Sequence, residues 1–251
     1  MTLRTAIGVI PARLASVRFP NKPLASETGL PLVVHVLRQA ERATRLSRVV
    51  VAAPDEAILE AVRRHGGEAV ATSLDHPNGT SRIAEAIERV DPAGGGDSII
   101  VNIQGDEPLV DPAHVDLAVE RLAQDPGAGI STLVAPFAPG EDPTNPNVVK
   151  AVVAASGRAL YFSRACVPFH RDAADPPPRR FRHLGLYAYR REALLRLASL
   201  PETALERAER LEQLRALEHG IAISVGIVDR AEGGIDTPEQ YAEFVRRVGR
   251  A

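Results

Sequence analysis

Up to about residue 124 the chain alternates short apolar runs with amphipathic stretches, and no other feature restricts its fold as much. The runs at residues 7–10, 49–53, 68–71 and 99–103 have the length of strands, and the stretches 31–42, 56–65, 81–89 and 112–124 carry apolar residues at helical spacing. A helix between consecutive strands lets the second strand lie parallel to the first. The rhythm therefore predicts an α/β fold, a mostly parallel sheet with helices on both faces. Gly66 and Gly67 separate a helical stretch from an apolar run, where a helix C-terminus is expected.

After about residue 130 the rhythm changes. Residues 130–136, 148–154 and 183–189 read as strands, with a loop rich in proline and charge at 171–180. Helical stretches at 190–200 and 204–218, a strand at 221–228 and a helix at 238–248 follow. We expect a single domain over residues 1–251 with a smaller lobe at approximately 130–190.

The bulk numbers exclude some classes. A formal net charge of −2 argues against a nucleic-acid binder, which normally shows a basic excess. No stretch approaches the ~20 apolar residues of a membrane span, and the first residues lack the layout of a signal peptide. A cytoplasmic protein with no membrane partner is expected. Cys166, the one cysteine, excludes an internal disulfide, and in its apolar setting (RACVPF) it reads as a buried structural thiol. Of 30 basic residues only Lys22 and Lys150 are lysines, so each marks a place where a compact point charge stands in for a planar fork.

In an open α/β sheet ligands bind outside the carboxyl ends of the strands, here the loops after Ile10, Ala53, Ile103 and Val228. The first of these holds Arg13, Arg18 and Lys22 in one proline-restricted connection. Three such cations either form a solvated basic loop or grip an anion, and a triphosphate suits them. There is no GxGxxG after the first strand and no GxxxxGK[ST] anywhere, which removes the main support for a dehydrogenase or a P-loop enzyme. A strand ending in Gly105, Asp106, Glu107 and Pro108 offers either an exposed acidic turn or a carboxylate placed to hold Mg²⁺ on phosphates. Asp236, before Thr237 and Pro238, caps the last helix, joins Asp106 in a split magnesium site, or does both.

The stretches IPARLASVRFPNKPL, HPNGTSRIAEAI, VNIQGDEPLV, NPNVVK, ALYFSRACVPF, RHLGLYAYR, LEQLRALEHG and GGIDTPEQY resemble those of the 3-deoxy-manno-octulosonate (Kdo) cytidylyltransferases. They occur in the family's order and reach from Ile10 to Tyr241. The resemblance implies a nucleotidyltransferase fold of glycosyltransferase-A-like type, a homodimer, Mg²⁺, and the reaction of CTP with Kdo to give CMP-Kdo and pyrophosphate for lipopolysaccharide synthesis. It implies Arg13, Lys22, Asp106 and Asp236 as the catalytic group, with Asp106 and Asp236 on the metal. Arg13, Arg18, Lys22, Arg82, Gln104 and Asp106 would bind the nucleotide, and Arg164, His183, Tyr187, Glu212 and Gln213 the sugar. The lobe would serve sugar binding and the dimer contact.

Two positions depart from the family: Ser81 stands where an acidic residue is usual, beside Arg82, and Ala204 stands where a proline is expected. Arg164 also reads as an ion-pair partner within the lobe, and His183 as a satisfied strand histidine. Competing readings are a cytidylyltransferase for sialate, 8-amino-Kdo or another 2-keto acid sugar, and a non-catalytic nucleotide-binding regulator. Lys22, Asp106 and Asp236 together argue against the last.

Overall fold

The computed structural model describes residues 6–15, 18–95, 98–172, 174–230 and 233–249. β1 (Ala6–Pro11) pairs in parallel with β2 (Leu46–Ala53) on one side and β4 (Ile99–Asn102) on the other, and β3 (Glu68–Ala71) extends the sheet beyond β2. Helices α1 (Leu32–Ala40), α2 (Glu56–Arg64) and α3 (Gly79–Val90) make the crossovers. The chain leaves β1 toward β2 and returns through α3 to β4 on the other side. The loops at the carboxyl ends of β1 and β4 therefore diverge around a crevice, the place where such sheets bind ligands.

Past α4 (Pro112–Gln124) the chain forms β5 (Ile130–Pro136), β6 (Lys150–Val153), β7 (Ala159–Ser163) and β8 (Phe181–Arg190). Helices α5 (Arg191–Ser199), α6 (Ala204–Glu209) and α7 (Gln213–Glu218), strand β9 (Ile223–Ile227) and helix α8 (Pro238–Val248) follow. The main path runs β3-β2-β1-β4-β8-β5-β9. β8 is antiparallel to both β4 and β5, whereas β5 and β9 are parallel. Two strands of the stretch expected as a lobe thus sit inside the main sheet. Outside the path stand β6 and β7, an antiparallel hairpin joined to β8 through β6, with the loops that flank it.

Alternate residues along each strand face opposite helical layers. Ile10 and Val101 pack with α1, α2 and α4, while Val9 and Ile100 pack with α3, α5 and α7. A third cluster of Leu32, Ile235, Tyr241 and Phe244, with Phe19 against it, seats α8 on the loop after β1. This brings residues 233–236 back to the crevice. Among the described residues no helix is long and apolar enough to cross a membrane.

Three features differ from the sequence expectation. β7 lies in a stretch that was not read as a strand. The helix expected over 204–218 is broken in two at Arg210, whose φ of 54° is left-handed. Arginine gives no composition signal for that conformation, unlike glycine. The break turns the Glu209 carboxylate toward Ser163 Oγ (2.6 Å) and the backbone N of Arg164 (2.9 Å). Cys166 is half-buried rather than sealed in the core.

Lys150 explains its own identity. Its side chain is fully buried, and Nζ donates to the carbonyls of Asn145 (3.0 Å), Val148 (2.6 Å) and Arg164 (2.5 Å). Three donors diverging from one small head meet three converging carbonyls, which a planar guanidinium would not do. Burial lowers its pKa.

Candidate active site

The crevice between the β1 and β4 loops is a cleft of about 480 Å³ lined by Arg13, Arg18, Lys22, Arg82, Gln104 and Asp106, among others. Lys22 opens a single 3₁₀ turn, Lys22–Leu24, with Pro23 in its second position. Its Nζ donates to Asp106 Oδ2 at 2.9 Å and to the carbonyl of Ile235 at 2.6 Å. Asp236 Oδ1 lies 3.7 Å from the same nitrogen and 3.0 Å from Arg18 NH2. One ammonium therefore sits between carboxylates from the two halves of the chain. The backbone locks this: Ile235 N donates to the Asp106 carbonyl at 2.8 Å. Gly105 is required here, because a Cβ would stand 2.8 Å from the Pro11 carbonyl.

Asp236 does not cap α8. Thr237 does, in a capping box with Gln240, and Pro238 fills the first helical turn. The Asp236 carboxylate is thereby left for the cleft. Arg82, in α3, is 3% exposed and its NH1 donates to Thr72 Oγ1 (2.6 Å) and the Ser73 carbonyl (3.0 Å). Among the described residues no carboxylate forms an ion pair with it. Burial lowers its pKa and the Arg13 charge lowers it further, against the pull of Asp55 and Glu85, and both arginines line the cleft. Ser81 adds no charge; its backbone N takes the Asn78 cap at 2.9 Å. Burial, with the Asp106 charge second, pushes the neighbouring Glu107 carboxyl up to about 7, against the pull of Arg182.

Gln104 and Gly79 also line a second cavity of about 300 Å³, floored by β4 and β8 and closed by α7. His183, Tyr187, Glu212 and Gln213 face it. Gln104 Nε2 is fixed on the Gly185 carbonyl at 2.8 Å. Glu212 Oε2 accepts from Thr80 Oγ1 at 2.8 Å, and burial raises the Glu212 pKa. Burial also raises the pKa values of Tyr187 and Tyr189, so both phenols keep their protons at neutral pH.

His183 is neutral: burial pulls its pKa down to about 3. Thr132 Oγ1 lies 2.9 Å from His183 Nε2 and donates to the carbonyls of Leu186 (2.9 Å) and Leu184 (3.1 Å). With its one hydrogen so used, Thr132 accepts from Nε2–H, which leaves Nδ1 unprotonated. His183 can share hydrogen bonds with a ligand but cannot supply a positive charge. Its folded pKa lies below the usual 6.5, so the unfolded chain binds more protons below that pH and stability is lost as pH falls. We expect this histidine alone to remove about 1.5 kcal/mol between pH 6.5 and 5. Urea unfolding of wild type and His183→Gln at both values checks this; an equal pH loss in the two proteins contradicts it.

Arg164, expected with the sugar residues, stands outside the lining of that cavity. Its guanidinium donates to the carbonyls of Glu209 (2.7 Å), Pro146 (2.9 Å) and Arg210 (3.5 Å) and thereby ties the β6–β7 hairpin to the α6–α7 connection. Three polar residues that line the second cavity were missed from the sequence: Thr80, Asn102 and Tyr189. Asn102 left one trace, a polar residue inside an otherwise apolar run.

The cleft suits a hard divalent cation. Asp106 and Asp236 already share one cationic partner, Lys22, and Mg²⁺ is commonly held by one or two carboxylates with phosphate oxygens completing the shell. Among the described residues no group of three or more His, Cys, Asp or Glu could hold a metal, so a phosphate ligand would have to complete this one.

Comparison with known proteins gives a consistent picture. Residues 7–223 match the family model described as Cytidylyltransferase. A protein of Rhodopseudomonas palustris (strain HaA2) named 3-deoxy-manno-octulosonate cytidylyltransferase is 48% identical over 252 residues, covering 99% of each chain. One of the same name from Rhodospirillum centenum is 51% identical over 239 residues, covering 93% of this chain and 90% of the relative. A solved structure of CMP:2-keto-3-deoxy-manno-octonic acid synthetase complexed with CTP superposes with a TM-score of 0.90 at 36% identity, covering 98% of this chain and 99% of that one.

Proposed function

Because the chain belongs to the cytidylyltransferases, and among them to the 3-deoxy-manno-octulosonate cytidylyltransferase family, we propose that it transfers CMP from CTP to Kdo, releasing pyrophosphate. The observation that carries this reading is the pairing of two adjoining cavities: a cationic cleft with two carboxylates, and a buried, hydroxyl-matching pocket that shares Gln104 and Gly79 with it. The first suits a triphosphate and the second a sugar.

The anomeric hydroxyl of Kdo attacks the α-phosphorus of CTP. A new P–O bond forms as the bond to the oxygen bridging the α- and β-phosphates breaks, and the hydroxyl proton is lost to solvent. Such a displacement needs positioning and charge stabilisation more than covalent chemistry. Arg13, Arg18, Lys22 and Arg82 oppose the charge that grows on the departing pyrophosphate. Gln104, fixed on the Gly185 carbonyl, sets the boundary between nucleotide and sugar. Asp106 and Asp236 would hold Mg²⁺, which when bound neutralises phosphate charge and eases ionisation of a coordinated hydroxyl. Tyr187, Glu212, Gln213 and neutral His183 serve the sugar as hydrogen-bonding groups. Arg164 acts on that pocket through the α6–α7 connection.

The product would enter lipopolysaccharide synthesis, and a cytoplasmic location follows from the same reading. We also infer a homodimer with the β6–β7 hairpin region at the contact. Exposed Leu160 (62%) and Phe169 (84%) in that region support this, and a monomer mass by light scattering at micromolar concentration contradicts it. Phosphorus NMR of protein, CTP, Kdo and Mg²⁺ tests the reaction. The triphosphate signals should give way to pyrophosphate and one phosphodiester; an unchanged triphosphate contradicts the proposal.

A further inference from the structure

Asn102 ends β4, follows three apolar strand residues and is 5% exposed, yet it lines the second cavity. It sits directly opposite Tyr187 in the antiparallel β4–β8 ladder, with Ile100 opposite Tyr189 two residues earlier, so Asn102 and both tyrosines share one face. The Tyr189 phenol is hydrogen-bonded to the side chains of Asn102 and Thr80, the Asn102 bond being made by its amide nitrogen, since its Oδ1 has no partner.

The hydrogen-bond inventory of this floor is unbalanced. Thr80 gives its one hydroxyl hydrogen to Glu212 Oε2 at 2.8 Å. Gln104 gives Nε2 to a backbone carbonyl. Two buried acceptors are left without a hydrogen-bond partner, Asn102 Oδ1 and Glu212 Oε1. The cation nearest the second, Arg215 NH1, is 3.8 Å away, beyond hydrogen-bond distance, and its guanidinium is engaged by Glu206 at 2.7 and 2.5 Å. Buried acceptors without donors are costly and uncommon in a finished site. A ligand that brings donors removes the cost, and a ligand lacking them is rejected.

We propose that Asn102 is a specificity-determining residue of the sugar pocket: its Oδ1, together with Oε1 of Glu212, forms a pair of acceptors that takes two hydroxyl hydrogens of the acceptor sugar. This rests on the Kdo reading above. An amide is suited to the task, because its oxygen accepts without adding a second negative charge beside Glu212. An apolar residue of the same size at 102 would leave that hydroxyl unpaired.

The test compares kcat/KM of wild type and Asn102→Leu with Kdo and with its 4-, 5-, 7- and 8-deoxy analogues. For wild type at least one analogue should fall about 30-fold or more below Kdo. Asn102→Leu should lose a similar factor with Kdo itself and lose nothing further with that analogue, while its KM for CTP stays within about 2-fold of wild type. Wild type using all four analogues within about 3-fold of Kdo overturns the proposal without any variant, which covers a variant that does not fold. Asn102→Leu matching wild type on Kdo also overturns it. Absence of any turnover of Kdo by wild type contradicts the substrate reading first and this proposal with it.

Discussion

Asp106→Asn and Asp236→Asn are each expected to lower kcat by at least about 100-fold, near 2.7 kcal/mol of barrier, while CTP still binds. The geometry behind this is the shared cation. Lys22 Nζ stands 2.9 Å from Asp106 and 3.7 Å from Asp236, so either substitution removes half of the negative charge that a divalent ion would need. Arg18 pairs with Asp236 at 3.0 Å, but Arg13 and Arg82 line the cleft from the β1 loop and α3 and keep the rest of the triphosphate site in place. Binding and rate should therefore part company. Stopped assays for rate and calorimetry for CTP read the two apart. Full activity in either variant removes that residue from the metal site.

Lys150→Met is expected to destabilise the fold by about 2 kcal/mol or more, measured by urea unfolding. Methionine matches the length of the stem but leaves the carbonyls of Val148 and Arg164 without this donor, while the Asn145 carbonyl keeps the Val148 N–H at 3.2 Å. Each buried polar group left unpaired costs about 1–3 kcal/mol. Removing a buried charge returns part of that, which keeps the expectation near the lower end of the sum. Lys150→Arg should also fail, since a planar fork does not reproduce the three diverging donors and its bulk overpacks a full site. A methionine variant within about 0.5 kcal/mol of wild type would show that the ammonium is not what holds these loops.

What could be read from the sequence was what periodicity and punctuation report. The first-half strands and helices followed from apolar spacing, and two of the four loops at strand ends, those after Ile10 and Ile103, hold Arg13, Arg18, Lys22 and Asp106. The two lysines stood out by rarity, and both proved to be point charges among oxygen atoms. Other features depend on contacts that no local pattern encodes. The break at Arg210 uses a left-handed arginine, and it is stabilised by Glu209 reaching back to Ser163 and Arg164, 46 and 45 residues away. Arg164 was expected on the sugar for its charge, but carbonyls of the α6–α7 connection take its guanidinium. His183 was expected either on the sugar or as a satisfied strand histidine, and burial keeps it uncharged. Asp236 was readable as a helix cap, yet the next residue takes that role.

The central claim is that the cationic cleft and the adjoining pocket together couple CTP to Kdo. Pyrophosphate release from CTP and Mg²⁺, followed with Kdo, with sialate and with no sugar added, tests it most directly. The account predicts rapid release with Kdo and only background with the other two. Release with sialate alone, or no release with any sugar while CTP binds, would contradict it.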